Sequence, residues 1–139
     1  MTTAMTTAMT TATVCTAVLA AMVFGLGLNV SRMRGVTGKS GGSQFPQDPA
    51  SPLFTAIRAH GNAAEYIPTL IVLFLLVGAR SPAAVAIPLI IGATLSRLVH
   101  AYGVLTAPSM AVQTKGRLIG AVGTYAFGIG LAIAAASTI

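Results

Sequence analysis

Residues able to hold a polar ligand recur at helical spacing inside otherwise apolar stretches of this sequence. Arg58, Asn62 and Glu65 stand at i, i+4 and i+7, which is one face of a helix. Arg97 and His100 are three residues apart and share a face in the same way. Arg32, Lys115, Arg117 and His60 add further basic groups, and Glu65 is the acid set against them. Arginine presents forked donors to a carboxylate, glutamate receives an ammonium, and amide and imidazole groups fix orientation. A pocket so equipped suits a small anionic zwitterion, an amino-acid-like or peptide ligand with carboxylates and an amine. His60, His100 and Glu65 could be drawn as a zinc site, but the surrounding arginines oppose a dication. No metal is expected. Nor is there a glycine pattern for nucleotide binding.

The elements that position these residues are dictated by composition. The chain has 139 residues, 55% hydrophobic and 7% charged, with mean hydropathy +0.84. Soluble domains carry about 25% charged residues, so a water-soluble globule and a disordered chain are both excluded. Eight Lys and Arg against two Asp and Glu give a net charge of +6. In so apolar a chain that excess points to membrane topology and an anionic ligand, not to nucleic acid.

The expected fold is an all-α integral membrane protein, an up-down bundle of four transmembrane helices in a single domain. Residues 1–11 repeat Met-Thr-Thr-Ala without a cation and read as a flexible tail. Spans follow at about residues 12–31, 53–79, 82–103 and 115–137, each near the ~20 residues a bilayer requires. A Gly-, Ser- and Pro-rich loop separates the first two, and Arg80-Ser81-Pro82 makes a tight turn, with Pro82 opening the third helix. Arg32, Arg34 and Lys39 lie in the first loop and Lys115 and Arg117 beside the third, while Arg80 is at the opposite end. The positive-inside rule then puts both termini outside the cytoplasm. Cys15 is the lone cysteine, so no internal disulfide forms, and it reads as a packing residue.

Counting outward from the turn at Ser81 sets Glu65 level with Arg97 and Asn62 level with His100. Because an ionised side chain inside a span costs about 2.5–3.5 kcal/mol, a Glu65–Arg97 ion pair is expected. Pro68 leaves the Ala64 carbonyl without its helical donor, which reads as a packing kink. Small residues recur every four positions at Ala17, Ala21, Gly25 and Asn29, and at Gly116, Gly120, Thr124 and Gly128. Such stripes let backbones approach closely, within one chain or between copies.

Arg58-Ala59-His60-Gly61-Asn62-Ala63-Ala64-Glu65-Tyr66-Ile67-Pro68 resembles the second-helix motif of the MAPEG family (membrane-associated proteins in eicosanoid and glutathione metabolism), and is more similar to its bacterial branch than to the mammalian enzymes. Arg97-Leu98-Val99-His100 and Arg32-Met33-Arg34 resemble its third- and first-helix patterns. The resemblance implies a left-handed four-helix bundle assembled as a homotrimer, with glutathione as co-substrate between subunits near the cytoplasmic side. It implies that Arg32, Asn62, Glu65 and His100 contact glutathione and that Arg58 and Arg97 brace the site. It further implies that Arg117, or Lys115 beside it, stabilises the thiolate. The activity so implied is a glutathione transferase or peroxidase acting on lipophilic electrophiles, the apolar second substrate arriving from the bilayer, and the location a bacterial inner membrane. Two other readings remain: a non-catalytic relative that binds another small anion or lipid, and a small multidrug transporter built on Glu65.

Overall fold

The computed structural model describes residues 3–138, all in helices or short connections. Four helices, α1 (Thr3–Lys39), α2 (Pro52–Arg80), α3 (Ala83–Leu105) and α4 (Lys115–Ala136), follow in chain order. All four are long and apolar enough to cross a membrane. Residue exposure runs opposite to that of a soluble protein. Phe24 is 79% and Leu28 72% exposed, while Arg97 is 1% exposed. An exterior of large apolar side chains around a core that holds a buried arginine is stable only where lipid replaces water. The protein is an integral membrane protein, an all-α four-helix bundle.

Local chemistry sets the boundaries. Pro52 occupies the first turn of α2, and the Ser51 hydroxyl accepts from the Phe54 amide. Thr114 caps α4 by accepting from the Arg117 amide, and its own hydroxyl donates to the Gly103 carbonyl at 3.0 Å. One side chain thus ties the start of α4 to the end of α3. Gly41, at φ 71°, terminates α1, with the Gly42 amide reaching back to the Thr37 carbonyl at 2.9 Å. This left-handed cap favours glycine.

α1 departs from expectation at both ends. Residues 3–11, expected as a flexible tail, are helical. Ala8, Ala12, Cys15 and Leu19 form a buried row spaced at i, i+4, i+7 and i+11, so the repeat supplies a small-residue face. A methyl group at Gly78 would stand 2.9 Å from Ala12 Cβ, which shows how closely this face approaches α2. Thr11 and Thr13 return their hydroxyls to the Thr7 and Met9 carbonyls, hiding the polarity of the repeat within the helix. At the other end the helix continues past the expected stop at residue 31 to Lys39, because no proline or positive-φ residue intervenes before Gly41.

α2 and α3 cross the centre of the bundle, α1 packing against both on one side and α4 against both on the other; α1 and α4 are not neighbours among the described residues. The two longer loops meet at one end, where the Met110 amide donates to the Pro49 carbonyl at 2.8 Å. The α2–α3 turn lies at the other end. Between α3 and α4 the stripe of small residues is used within the chain. A methyl group at Gly120 would stand 2.5 Å from the His100 backbone, and one at Gly116 3.1 Å from Gly103 Cα. Ala17, Ala21 and Gly25 of the α1 stripe face outward instead.

Candidate functional site

The buried face of α2 runs through Ala59, Ala63, Ile67 and Leu70. Asn62 and Tyr66, one turn apart beside that row, are half-buried at the seam with α3 and α4. From α3, Arg97 enters the same seam among the buried residues Ala93, Thr94 and Ala101. Its Nη2 donates to Asn62 Oδ1 at 2.7 Å, and its guanidinium carbon lies 5.2 Å from the centre of the Tyr66 ring. Nε is buried without a hydrogen-bond partner. Tyr66 in turn meets Tyr125 of α4, with rings edge to face at 5.9 Å and hydroxyls 3.0 Å apart.

His100 closes the cluster. Its Nδ1 lies 3.1 Å from the Arg117 carbonyl. A carbonyl only accepts, so Nδ1 carries the proton and Nε2 is left as the free ring nitrogen. The arrangement encloses a void of about 30 Å³ bounded by Asn62, Tyr66, Arg97, His100, Thr124 and Tyr125. Tyr66, Thr124 and Tyr125 also wall an adjoining apolar groove of about 250 Å³ between α2 and α4, which continues past Leu70, Leu73 and Ile129. A cationic, hydrogen-bonding cleft therefore shares a wall with a space suited to a lipophilic molecule.

The expected Glu65–Arg97 ion pair is absent. Arg97 turns to Asn62 and Tyr66, and Glu65 is exposed on the outer face of α2. Matched depth brings the two side chains level, but rotation about the helix axis decides contact. At about 100° per residue, Glu65 is carried one side of Asn62 and Tyr66 the other, and it is Tyr66 that faces the seam. Among the described residues Arg97 thus forms no ion pair. A buried cation without a bound counter-ion is expensive, and an anionic ligand would relieve that cost.

Apart from Arg80 at the α2–α3 turn, the remaining basic residues are spread over the end of the bundle where the two longer loops meet. Arg117 spends Nη1 on the Met110 and Val112 carbonyls, pinning the loop before α4. Arg32 Nη2 donates to Asn29 Oδ1 at 3.0 Å and lines a separate cavity of about 300 Å³ with Thr55 and Pro108. Arg58 and Lys115 are exposed, and His60 turns toward α1 beside Gly27. Of the expected site residues, Asn62, Arg97 and His100 converge within one chain, with Arg117 joined through its backbone, whereas Arg32, Arg58 and Glu65 do not point into the cleft. The tyrosines were not singled out from the sequence. Tyr66, one turn after Asn62, carried the available signal, while Tyr125 had none beyond being a phenol within an apolar span.

A family model described as "MAPEG family" matches residues 12–137, nearly the whole chain. No curated protein and no solved structure matches it.

Proposed function

Because the chain belongs to the MAPEG family, we propose that it is a glutathione-dependent membrane enzyme, a transferase or peroxidase acting on lipophilic electrophiles. The carrying observation is Arg97, buried with no acid bound to it and with Nε unpartnered, beside an apolar groove that shares the Tyr66–Tyr125 wall. A thiol peptide held by Asn62 and His100 brings negative charge beside the guanidinium that braces Asn62, and the groove accepts a second substrate from the bilayer. Arg32, Asn62, Glu65 and His100 bind glutathione, while Arg58 and Arg97 brace the site.

The void within one chain is far too small for a tripeptide. We take the site to be completed by a neighbouring copy in a homotrimer. Glu65 and Arg58 support this, since both are exposed on the outer face of α2, and an ionised side chain facing hydrocarbon costs about 2.5–3.5 kcal/mol. Covering that face with a second subunit gives both charges a polar setting. The location proposed is a bacterial inner membrane, with the loop end of the bundle cytoplasmic.

In the transferase reaction, Arg117 stabilises the glutathione thiolate through the guanidinium nitrogens left beside its two loop bonds. An adjacent cation lowers a thiol from its usual pKa of about 8.5 and raises the nucleophile fraction at neutral pH. The thiolate sulfur then bonds to the electrophilic carbon, and the leaving group departs with its electron pair.

Titration of the purified protein with glutathione, read as thermal midpoint, tests the reading. A native-state ligand must raise the apparent stability. A rise together with conjugation of an aryl halide is expected, whereas no shift at millimolar glutathione overturns the proposal. The two bonds from Arg117 Nη1 to loop carbonyls favour a second reading, a non-catalytic anion binder; binding with neither conjugation nor reduction of a lipid hydroperoxide selects it.

A further inference from the structure

A second sizeable cavity lies at the opposite end from the two longer loops. It measures about 420 Å³ and is built where the α2–α3 turn meets the end of α4. Arg80, the only cation in its wall, is exposed in the last turn of α2 and has no hydrogen-bond or ion-pair partner among the described residues. Ser81 is 5% exposed, lines the same cavity, and its hydroxyl is buried without a hydrogen-bond partner. Buried hydroxyls are ordinarily satisfied, and one left over calls for an explanation.

A third feature adds to these. α3 begins directly after Pro82, and no side chain caps it. The Pro82 carbonyl takes the Val85 and Ala86 amides, so the Ala83 and Ala84 amides have no intrahelical acceptor. The positive end of a 23-residue helix therefore follows directly on Arg80 and Ser81, and Pro82 and Val85 line the cavity together with Ser137 and Thr138 at the end of α4; cation, unpartnered hydroxyl and helix start together favour a tetrahedral anion. Behind this polar mouth the wall becomes apolar through Val85, Leu89 and Ile133. Val85 is 44% and Ile133 65% exposed, so this side of the cavity is continuous with the lipid-facing surface.

We propose that this cavity is a phospholipid site. The phosphate is held by Arg80, the Ser81 hydroxyl and the first-turn amides of α3, and an acyl chain runs along Val85, Leu89 and Ile133. The three donor sources need only a phosphate, but the apolar half of the cavity needs a hydrocarbon attached to it. Its position at the ends of α2, α3 and α4 is the level at which head groups lie. The site is separate from the α2–α4 cleft and holds whether or not glutathione is a substrate.

The full-length protein, purified and delipidated in detergent, is titrated without glutathione while its thermal midpoint is followed and bound lipid is counted by native mass spectrometry. Phosphatidylglycerol is expected to raise the midpoint and to remain bound. Inorganic phosphate tests the head group alone, and diacylglycerol the chains alone; neither should reproduce the shift. Arg80→Gln should weaken lipid binding about tenfold. Ser81→Ala should weaken it about threefold while leaving the lipid-free midpoint unchanged or raised, since the hydroxyl it removes is buried and has no partner to lose. Arg34→Gln, at the far end of the bundle, should bind as the unaltered protein does. Unchanged lipid binding by Arg80→Gln overturns the proposal, and so does a full shift produced by inorganic phosphate or by diacylglycerol alone.

Discussion

Asn62→Ala and Arg97→Met, alone and together, separate stability from ligand capture. Arg97 is 1% exposed, and Asn62 Oδ1 at 2.7 Å is the one acceptor its guanidinium has among the described residues. Removing Asn62 deletes a charged hydrogen bond worth about 1.5–3 kcal/mol and leaves the buried cation held only by the Tyr66 ring, a contact of about 0.5–2 kcal/mol. Asn62→Ala should therefore lower unfolding stability by about 2–3 kcal/mol. Arg97→Met acts differently. It forfeits the same hydrogen bond and ring contact, but it also removes a desolvation cost of several kcal/mol and fills the space with an unbranched apolar chain. It should be neutral or stabilising by up to about 2 kcal/mol. In the double variant, Asn62→Ala should cost less than about 1 kcal/mol, because its cost in the native background comes from the stranded charge. Unfolding in mixed micelles of increasing denaturing-detergent fraction measures all four corners of the cycle. The same proteins are then titrated with glutathione, and Arg97→Met should lose the thermal shift despite its equal or higher stability. Additive costs for the two substitutions, or an Arg97→Met protein as unstable as Asn62→Ala, would refute the reasoning.

Other substitutions test the packing and the caps. Gly120→Ala puts a methyl group 2.5 Å from the His100 backbone, so a loss of about 1–3 kcal/mol should outweigh alanine's helix preference of about 1 kcal/mol; detergent unfolding reads it. Gly25→Ala, with nothing within 4 Å, is the matched control in the same assay and should be neutral or stabilising by up to about 1 kcal/mol. Thr114→Val loses both the α4 cap and the bond to the Gly103 carbonyl, and a cost of about 1–2 kcal/mol should appear together with faster proteolysis of the 106–114 loop. Glu65→Gln should weaken glutathione binding without lowering stability, measured by the same titration; conferred drug resistance by the native protein that Glu65→Gln abolishes would instead favour a transporter.

The number of spans, the turn at Ser81 and the starts of α2 and α4 were legible because each rests on local chemistry, apolar length and proline placement, whereas the caps at Ser51 and Thr114 emerge only in the structure. The course of α1 was less so. Its first residues read as a low-complexity tail because threonine and alanine carry little amphipathic signal. The face that matters, Ala8, Ala12 and Cys15, becomes apparent only when Gly78 offers it a surface at contact distance. The site was half legible. Spacing along the chain gives depth in the membrane, and it brought Asn62, Arg97 and His100 to one level. Rotation about the helix axis depends on how whole faces pack, so the chain could not say that Asn62 would take Arg97 and Glu65 would turn outward. Tyr66 and Tyr125 come from helices 59 residues apart in the chain, and nothing short of their packing pairs them.

The α2–α4 seam is where binding can act on the bundle, because its two borders are built so differently. α3 and α4 are locked by backbone contact. Methyl groups at Gly103 or Gly120 would collide with the Gly116–Arg117 or His100 backbone, and Gly92 and Gly123 are filled by Phe127 and Ser96. Across α2 and α4 the polar joint is one hydrogen bond between phenols, with an apolar groove beside it. A bond of about 1 kcal/mol net gives way far more readily than interlocked helix backbones. Tyr66 lies beneath the Arg97 guanidinium and meets Tyr125 at the groove, so the polar cleft and the apolar groove share one wall, and that wall is the weaker of the two seams.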